Sequence, residues 1–258
     1  MIDIIILLII IGTGAGFLGS LIGLGGGIIM TPILTLMGFS PTVVASSSLL
    51  AVTATSLSST ITYSIKKSIN YSLGLKLALF AIPGSIFGGF LSSYVTLSDF
   101  KLYFAILLLI VGIYIFYKEK INTKDKSIEI PKYLNFILFS IGTFSAGIIS
   151  SFFGVGGGII FIPIMIFLFK LKIIDASPTA QFTLLISSSI GLATHIVLGH
   201  PEYFYGFSLA IGSFLGAQIG SRYLHKFKES LLSKIFSISL IGISLQFFYD
   251  LFVKPFSE

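Results

Sequence analysis

Ten apolar runs constrain this chain more than any other feature. They fall at approximately 4–23, 27–37, 41–65, 72–95 and 99–117, then at 133–154, 158–169, 176–198, 204–224 and 230–250. A helix rising about 1.5 Å per residue needs about 20 apolar residues to cross about 30 Å of hydrocarbon. Eight of the runs reach that length. With only ten acidic and sixteen basic residues, 10% of the chain against about 25% in a soluble domain, there is too little charge to cover a water-facing surface. A soluble enzyme, a disordered chain and a nucleic-acid binder are excluded. The net charge of +6 sits in short loops, with no basic stripe for nucleic acid. Lipid is the first expected partner. The absence of Cys removes disulfides, thiolate metal sites and cysteine nucleophiles. Met1–Ile11 is apolar like the start of a signal peptide. It lacks a basic leader, Asp3 being its only charge, and reads as part of the first membrane helix.

One polar stretch interrupts the runs. Lys118–Lys132 carries eight charges in fifteen residues and divides the chain into a first repeat, 1–117, a solvated linker, 118–132, and a second repeat, 133–258. The halves resemble each other. AGFLGSLIGLGGGIIMTP at Ala15–Pro32 recurs without a gap as AGIISSFFGVGGGIIFIP at Ala146–Pro163. GSIFGG at Gly84–Gly89 matches GSFLGA at Gly212–Ala217, which sets Gly84 opposite Gly212. Repeats of five segments are a mark of secondary transporters.

Charge bias gives the expected orientation. Lys66-Lys67 follows segment 3, whereas the equivalent loop after segment 8 holds Glu202 and no Lys or Arg. Asp99 and Lys101 follow segment 4, whereas Arg222, Lys226 and Lys228 follow segment 9. Equivalent loops of opposite bias point to an inverted repeat rather than a parallel one. With both termini outside and the linker cytoplasmic, fourteen of the sixteen basic residues fall on the cytoplasmic side of a cell membrane. The expected fold is an all-α, polytopic membrane protein of two inverted repeats, with short or broken helices at glycine-rich turns.

Those turns are Gly23–Gly27 and Gly154–Gly158, each ahead of a short segment of eleven or twelve residues. Three consecutive glycines break a helix, since each costs about 1 kcal/mol against Ala. Broken backbone is tolerated at membrane depth only when buried in protein or lining a cavity. The helices that restart at Gly27-Ile28 and Gly158-Ile159 would aim their amides and positive dipole ends at that place, where an anion is the natural guest. Gly25, Gly26, Gly27, Gly156, Gly157 and Gly158 are therefore candidate binding residues. Gly12, Gly16, Gly84 and Gly88 read instead as helix-packing glycines.

Segment 3 is dense in Ser and Thr, among them Ser46–Ser48, Thr53, Thr55, Ser56, Ser58–Thr60 and Thr62. Segment 8 carries Thr179, Gln181, Thr183, Ser187–Ser189 and Thr194. A helical hydroxyl can bond its own i−4 carbonyl, so any one of these serves as interhelical glue. Their density suits a path lined with neutral donors. No Asp or Glu stands in mid-segment, which argues against a cation pump. His195, near the end of segment 8, is the one titratable candidate for proton coupling. No metal-ligand spacing is present, and no metal or cofactor is expected.

GLGGGIIMTPIL and GVGGGIIFIPIM resemble the glycine-rich signature of the sulfite exporter TauE/SafE family, also called the TSUP transporters. Pro41–Ala45, Ala54–Ser56, Pro178–Ala180 and the glycines of Gly84–Gly89 and Gly212–Gly220 are similar too. The likeness covers nearly the whole chain. It implies a non-enzymatic plasma-membrane permease for sulfite, sulfoacetate, another organosulfonate or thiosulfate. The second half departs from the family's Ala-Thr-Ser, with Thr183-Leu184 standing opposite Thr55-Ser56 in the register that pairs Gly84 with Gly212. The site expected from both lines of reading lies between the two glycine turns, with Thr55, Ser56, Thr183 and Gln181 as side-chain donors to a small anion and alternating access as the mechanism. A passive anion channel or uniporter, a permease of the same fold for a non-sulfur anion, and a homo-oligomer are left open.

Overall fold

The computed structural model describes residues 2–118, 131–226 and 229–252. Residues 119–130, most of the charged linker, lie outside the described part. The described residues form ten α-helices: α1 Ile2–Ile22, α2 Gly27–Leu36, α3 Pro41–Ile65, α4 Tyr71–Leu91, α5 Leu97–Lys118, α6 Lys132–Phe153, α7 Gly158–Phe169, α8 Ile173–Val197, α9 Tyr203–Tyr223 and α10 Glu229–Phe252. Short 3-10 turns at Ser92–Tyr94 and Leu224–Lys226 complete the list, with no strand among these residues. At least five helices are long and apolar enough to cross a membrane. Local chemistry explains several boundaries. Pro41 opens α3, where a missing amide hydrogen costs nothing. The Asn70 side chain accepts from the Leu73 amide at 3.0 Å and caps α4. Gly38 and Gly199 adopt left-handed conformations at helix ends.

Helix pairing is unchanged when the two halves are exchanged. α1 packs along α9 and α6 along α4; α3 packs along α9 and α8 along α4; α3 meets α8, and α5 meets α10. Glycines make the first two contacts possible. A Cβ on Gly84 would overlap the Phe144 carbonyl, and one on Gly88 the Ile148 carbonyl. In the other half, Gly216 would overlap Thr13 and Gly220 would meet Phe17 and Ser20. Gly12 and Gly16 face Leu209 and Ser213. Lipid tails are as apolar as the helices, so such close backbone approach supplies much of the association. The expectation that Gly12, Gly16, Gly84 and Gly88 are packing residues agrees with these contacts.

The contacts also reset one register. Gly84 and Gly88 touch Phe144 and Ile148. Gly216 and Gly220 touch Thr13 and Phe17, the residues that the alignment of Ala15 with Ala146 sets opposite Phe144 and Ile148. The structural partner of Gly84 is therefore Gly216 and not Gly212. Small residues recur every four positions at Gly212, Gly216 and Gly220, so a motif match can slip by one helical turn and still look good. The same corrected register holds in α3 and α8. It places Thr55-Ser56 opposite Ser187-Ser188, not Thr183-Leu184, so hydroxyls stand at these positions in both halves.

Directions follow from the same pairs. Ile9 and Phe17 on α1 meet Gly212 and Gly220 on α9 in ascending order, so α1 and α9 run parallel. α3 runs parallel to α9, since Ser58 and Thr62 bond Phe214 and Gln218 respectively. α3 and α8 run antiparallel. Leu49 lies against Gly191, and Thr53 donates to the Ser188 hydroxyl at 3.0 Å. Among the described residues no Asp, Glu, Lys or Arg is buried.

Candidate functional site at the crossing of two glycine turns

The two glycine turns touch at the centre of the bundle. Gly27 lies against Gly154 and Val155, and Gly158 lies against Gly23 and Leu24. The segments thus cross antiparallel, with Gly25 and Gly156 between those two contacts. Gly23, Gly25, Gly26, Gly154 and Gly156 all have positive φ, a conformation that side-chain-bearing residues rarely adopt. Every residue from Gly23 to Ile28 and from Gly154 to Ile159 is buried.

The amides of Gly23, Leu24 and Gly25 converge on the Gly19 carbonyl at 3.0, 2.9 and 3.3 Å. The first bonded amides of α2 are those of Ile29 and Met30, both on the Gly26 carbonyl. In α7 they are Ile160 and Phe161, on the Gly157 carbonyl. The amides of Gly26, Gly27, Ile28, Gly157, Gly158 and Ile159 carry no backbone hydrogen bond among the described residues. These are the unspent donors of two helix N-termini, brought close together with no buried counter-charge.

Two apolar side chains close the crossing. A Cβ on Gly25 would lie 2.9 Å from Val52 Cγ1 and 3.3 Å from Leu184 Cδ1. One on Gly156 would lie 3.1 Å from each of Leu184 Cδ2 and Val52 Cγ1. Val52 and Leu184 stand opposite each other in the register that pairs Gly84 with Gly216, and both are fully buried. Nothing in the sequence marks them, since an aliphatic residue in an apolar helix carries no signal.

The other predicted residues divide. Gly26 and Gly157 face away from the crossing, Gly26 toward the Ala15 carbonyl and Met30, Gly157 toward Phe161 and the Ala146 carbonyl. Thr55 donates to the Ala51 carbonyl at 3.0 Å, within its own helix. The Thr183 hydroxyl is within 3.2 Å of the Gly74 carbonyl and 3.0 Å of the Thr179 carbonyl, on the α4 side. Gln181 donates through Nε2 to the Gly19 carbonyl at 2.8 Å, the same oxygen that gathers the turn amides, while its Oε1 has no partner. Ser56 differs. It sits one helical turn beyond Val52, fully buried, and its Oγ has no hydrogen-bond partner. Ser48, one turn before Val52, is in the same state. Residues four apart share a helix face, so the closing valine stands between two free hydroxyls on one stripe of α3.

The whole chain can be set beside known proteins. The family model "Sulfite exporter TauE/SafE" matches residues 8–247. The probable membrane transporter protein YunE of Bacillus subtilis is 30% identical, over 95% of this chain and 97% of its own length. The probable membrane transporter protein YfcA of Escherichia coli is 28% identical, over 92% of this chain and 86% of its own. A probable membrane transporter protein of Methanocaldococcus jannaschii is 28% identical over 90% of this chain and 92% of its own. No solved structure matches. With a doubled glycine turn among its apolar helices and a family match over nearly its full length, this multi-pass membrane protein belongs to the sulfite exporter TauE/SafE family of membrane transporters.

Proposed function

We propose that this protein is a permease for a small sulfur-containing anion, such as sulfite, sulfoacetate or another organosulfonate, bound at mid-membrane between the two glycine turns and moved by alternating access. The observation that carries the reading is the crossing itself. Two helix N-termini whose first amides carry no backbone hydrogen bond flank the crossing, and among the described residues no carboxylate, lysine or arginine is buried. Neutral donors can hold an oxyanion without the fixed counter-charge that would trap it. Antiparallel α3 and α8, with α1 running parallel to α3, support an inverted relation of the halves, which sets both termini opposite the linker. The Lys and Arg bias of the loops supports a cytoplasmic linker with both termini outside. Val52 and Leu184 close the crossing in this conformation, and access requires that they part.

The test is a panel of labelled sulfite, sulfoacetate, thiosulfate and simple carboxylates in proteoliposomes, assayed in both directions. Saturable flux of a sulfur oxyanion, with unlabelled sulfite competing, is the expected result. Saturable flux of carboxylates alone would transfer the reading to another anion, and unsaturable conductance would indicate a channel.

Ser56→Ala separates a ligand role from a structural one. The hydroxyl has no partner to lose, so its removal should leave thermal stability unchanged or raise it slightly. Transport should nonetheless fall severalfold, mainly through a higher KM. A wild-type KM in the variant would remove Ser56 from the site.

A further inference from the structure

We infer that His195 and His200 form a proton-binding relay that leads from one face of the protein to the buried end of α6, and that a proton is the coupling ion of the transport proposed above. The inference rests on that transport reading for its coupling role, but the relay itself is argued from geometry alone.

His195 is fully buried in the last turn of α8. Its Nε2 lies 2.9 Å from the Ser151 carbonyl, and its Nδ1 lies 2.8 Å from Nδ1 of His200. His200 Nε2 in turn lies 3.1 Å from the hydroxyl of exposed Ser93. Tautomers follow by elimination. A carbonyl can only accept, which assigns the hydrogen to His195 Nε2. In the neutral pair His195 Nδ1 is then bare, so His200 Nδ1–H donates to it. His200 Nε2 is bare as well and accepts from Ser93. Each donor in the chain points inward. A proton that binds His200 at Nε2 makes it an imidazolium; its Nδ1 proton passes to His195 Nδ1. His200 is left neutral with hydrogen on Nε2, and the positive charge lies on buried His195, still donating to Ser151. Atoms and charge balance without any further reactant.

The location gives the charge a purpose. Ser151 is in the last turn of α6, just ahead of Gly154 of the second glycine turn. The negative end of the α6 dipole favours a cation there. An imidazolium beside the turn lowers the cost of admitting an anion to a low-dielectric interior. Ser151 Oγ is buried without a partner, and a Cβ on Gly191 would come within 2.9 Å of it. Few other ionisable groups stand nearby. The ends of α4 and α6 and the start of α3 carry none, while Tyr94 on the 3-10 turn and Glu202 and Tyr203 at the start of α9 are all exposed. Asp99 at the start of α5 is engaged by the Thr96 hydroxyl at 2.7 Å. Burial lowers the His200 pKa from its ordinary value, so the pair takes up its proton when that face becomes acidic.

The first half shows what a purely structural version looks like. There Tyr63 holds the place of His195, and its hydroxyl donates to the Ser20 carbonyl at 2.9 Å, Ser20 being the equivalent of Ser151. Ser68 occupies the place of His200 and donates to the Tyr63 carbonyl at 3.2 Å. A tyrosine ties the helices together equally well but, with an ordinary pKa of about 10, neither takes up nor gives up a proton in the working range. Of these two equivalent pairs, that of the second half is a pair of imidazoles. The backbone is built to assemble it: Gly199, at φ 73°, turns the chain so that the His200 amide donates to the His195 carbonyl at 3.0 Å.

The other half supplies the variants, His195→Tyr and His200→Ser. In proteoliposomes the readout is the steady-state anion gradient per unit of imposed pH gradient, normalised to the exchange rate of the same vesicles without a gradient. Coupling to one proton gives about a tenfold change in anion ratio per pH unit in the wild type. That response should vanish in His195→Tyr and fall in His200→Ser. An undiminished response in both variants overturns the relay. If no anion exchanges at all, the transport reading fails by itself. The relay is then decided by nitrogen NMR of the three histidines in the membrane-embedded protein. Hydrogen on His195 Nε2 and His200 Nδ1 at neutral pH, with titration of the pair changed by either substitution, supports it. The opposite tautomers, or a His195 that stays neutral down to pH values where the fold is lost, would overturn it.

Discussion

Gly27→Val abolishes anion flux in reconstituted vesicles and lowers the melting temperature of the purified protein. A Cβ at this position overlaps the Gly154 carbonyl oxygen, comes within 2.7 Å of Val155 Cα, and within 2.7 Å of Val52 Cγ2. Two of these three obstacles are backbone, which cannot rotate away. The turns must therefore separate, and with them the free amides of both helix N-termini. Overpacking of a tight interior costs about 1–3 kcal/mol, or about 2–12 °C for a chain of this size. The loss of transport should be much larger than that loss of stability suggests, because the crossing is the proposed site. Gly158→Val should behave alike, since its Cβ overlaps the Gly23 carbonyl. Gly14→Val is the control: nothing lies within 4 Å of a Cβ there. Normal flux through Gly27→Val, measured beside that control, would move the binding site away from the turns.

Gly216→Val and Gly84→Val are expected to be the most damaging substitutions outside the crossing, and to be so by folding rather than by binding. At Gly216 the new Cβ overlaps the Thr13 carbonyl and lies 3.0 Å from the Phe17 amide nitrogen; at Gly84 it overlaps the Phe144 carbonyl and lies 3.1 Å from the Ile148 amide nitrogen. Each prises apart a long parallel helix pair, α1–α9 or α4–α6. Without a hydrophobic force between helices in lipid, close packing lost there is not recovered by partial contact. Expected results are a drop in monodisperse yield of several-fold, and a lowered melting temperature in whatever material survives. Similar losses at both positions would support the pairing of Gly84 with Gly216. Wild-type melting of either variant would contradict the close approach.

The helices and the turns are legible in the sequence for a physical reason. Apolar runs broken by three consecutive glycines leave little choice of boundary, and the ten expected segments match the ten helices of the described residues within a few positions. The register between halves is less legible. In α4 and α9 small residues repeat at the helical period, so a slip of one turn preserves the motif. The donors are harder still. Thr55 and Thr183 look like ligands among so many hydroxyls, yet both are bonded to carbonyls, whereas Ser56 beside Thr55 is not. Only side-chain geometry separates neighbours of the same chemistry. Val52 and Leu184 are invisible for the opposite reason, being ordinary residues in an unusual place. The histidine pair does leave a trace, since a glycine just before His200 at a helix end is the usual sign of a chain that folds back on its last turn.

The exchange of contacts between the halves has an energetic consequence for a carrier that works by rocking. Were equivalent positions identical, the inward-facing and outward-facing conformations would be copies of each other and equally populated. The resting preference of such a molecule is then set by its inequivalent pairs, among them Val52 with Leu184 at the crossing and Tyr63 with His195. A difference of about 1.4 kcal/mol between the halves is enough for a tenfold bias toward one side. Making one such pair match across the halves should shift the inward–outward distribution of the empty carrier, because its vectorial character arises where the symmetry fails.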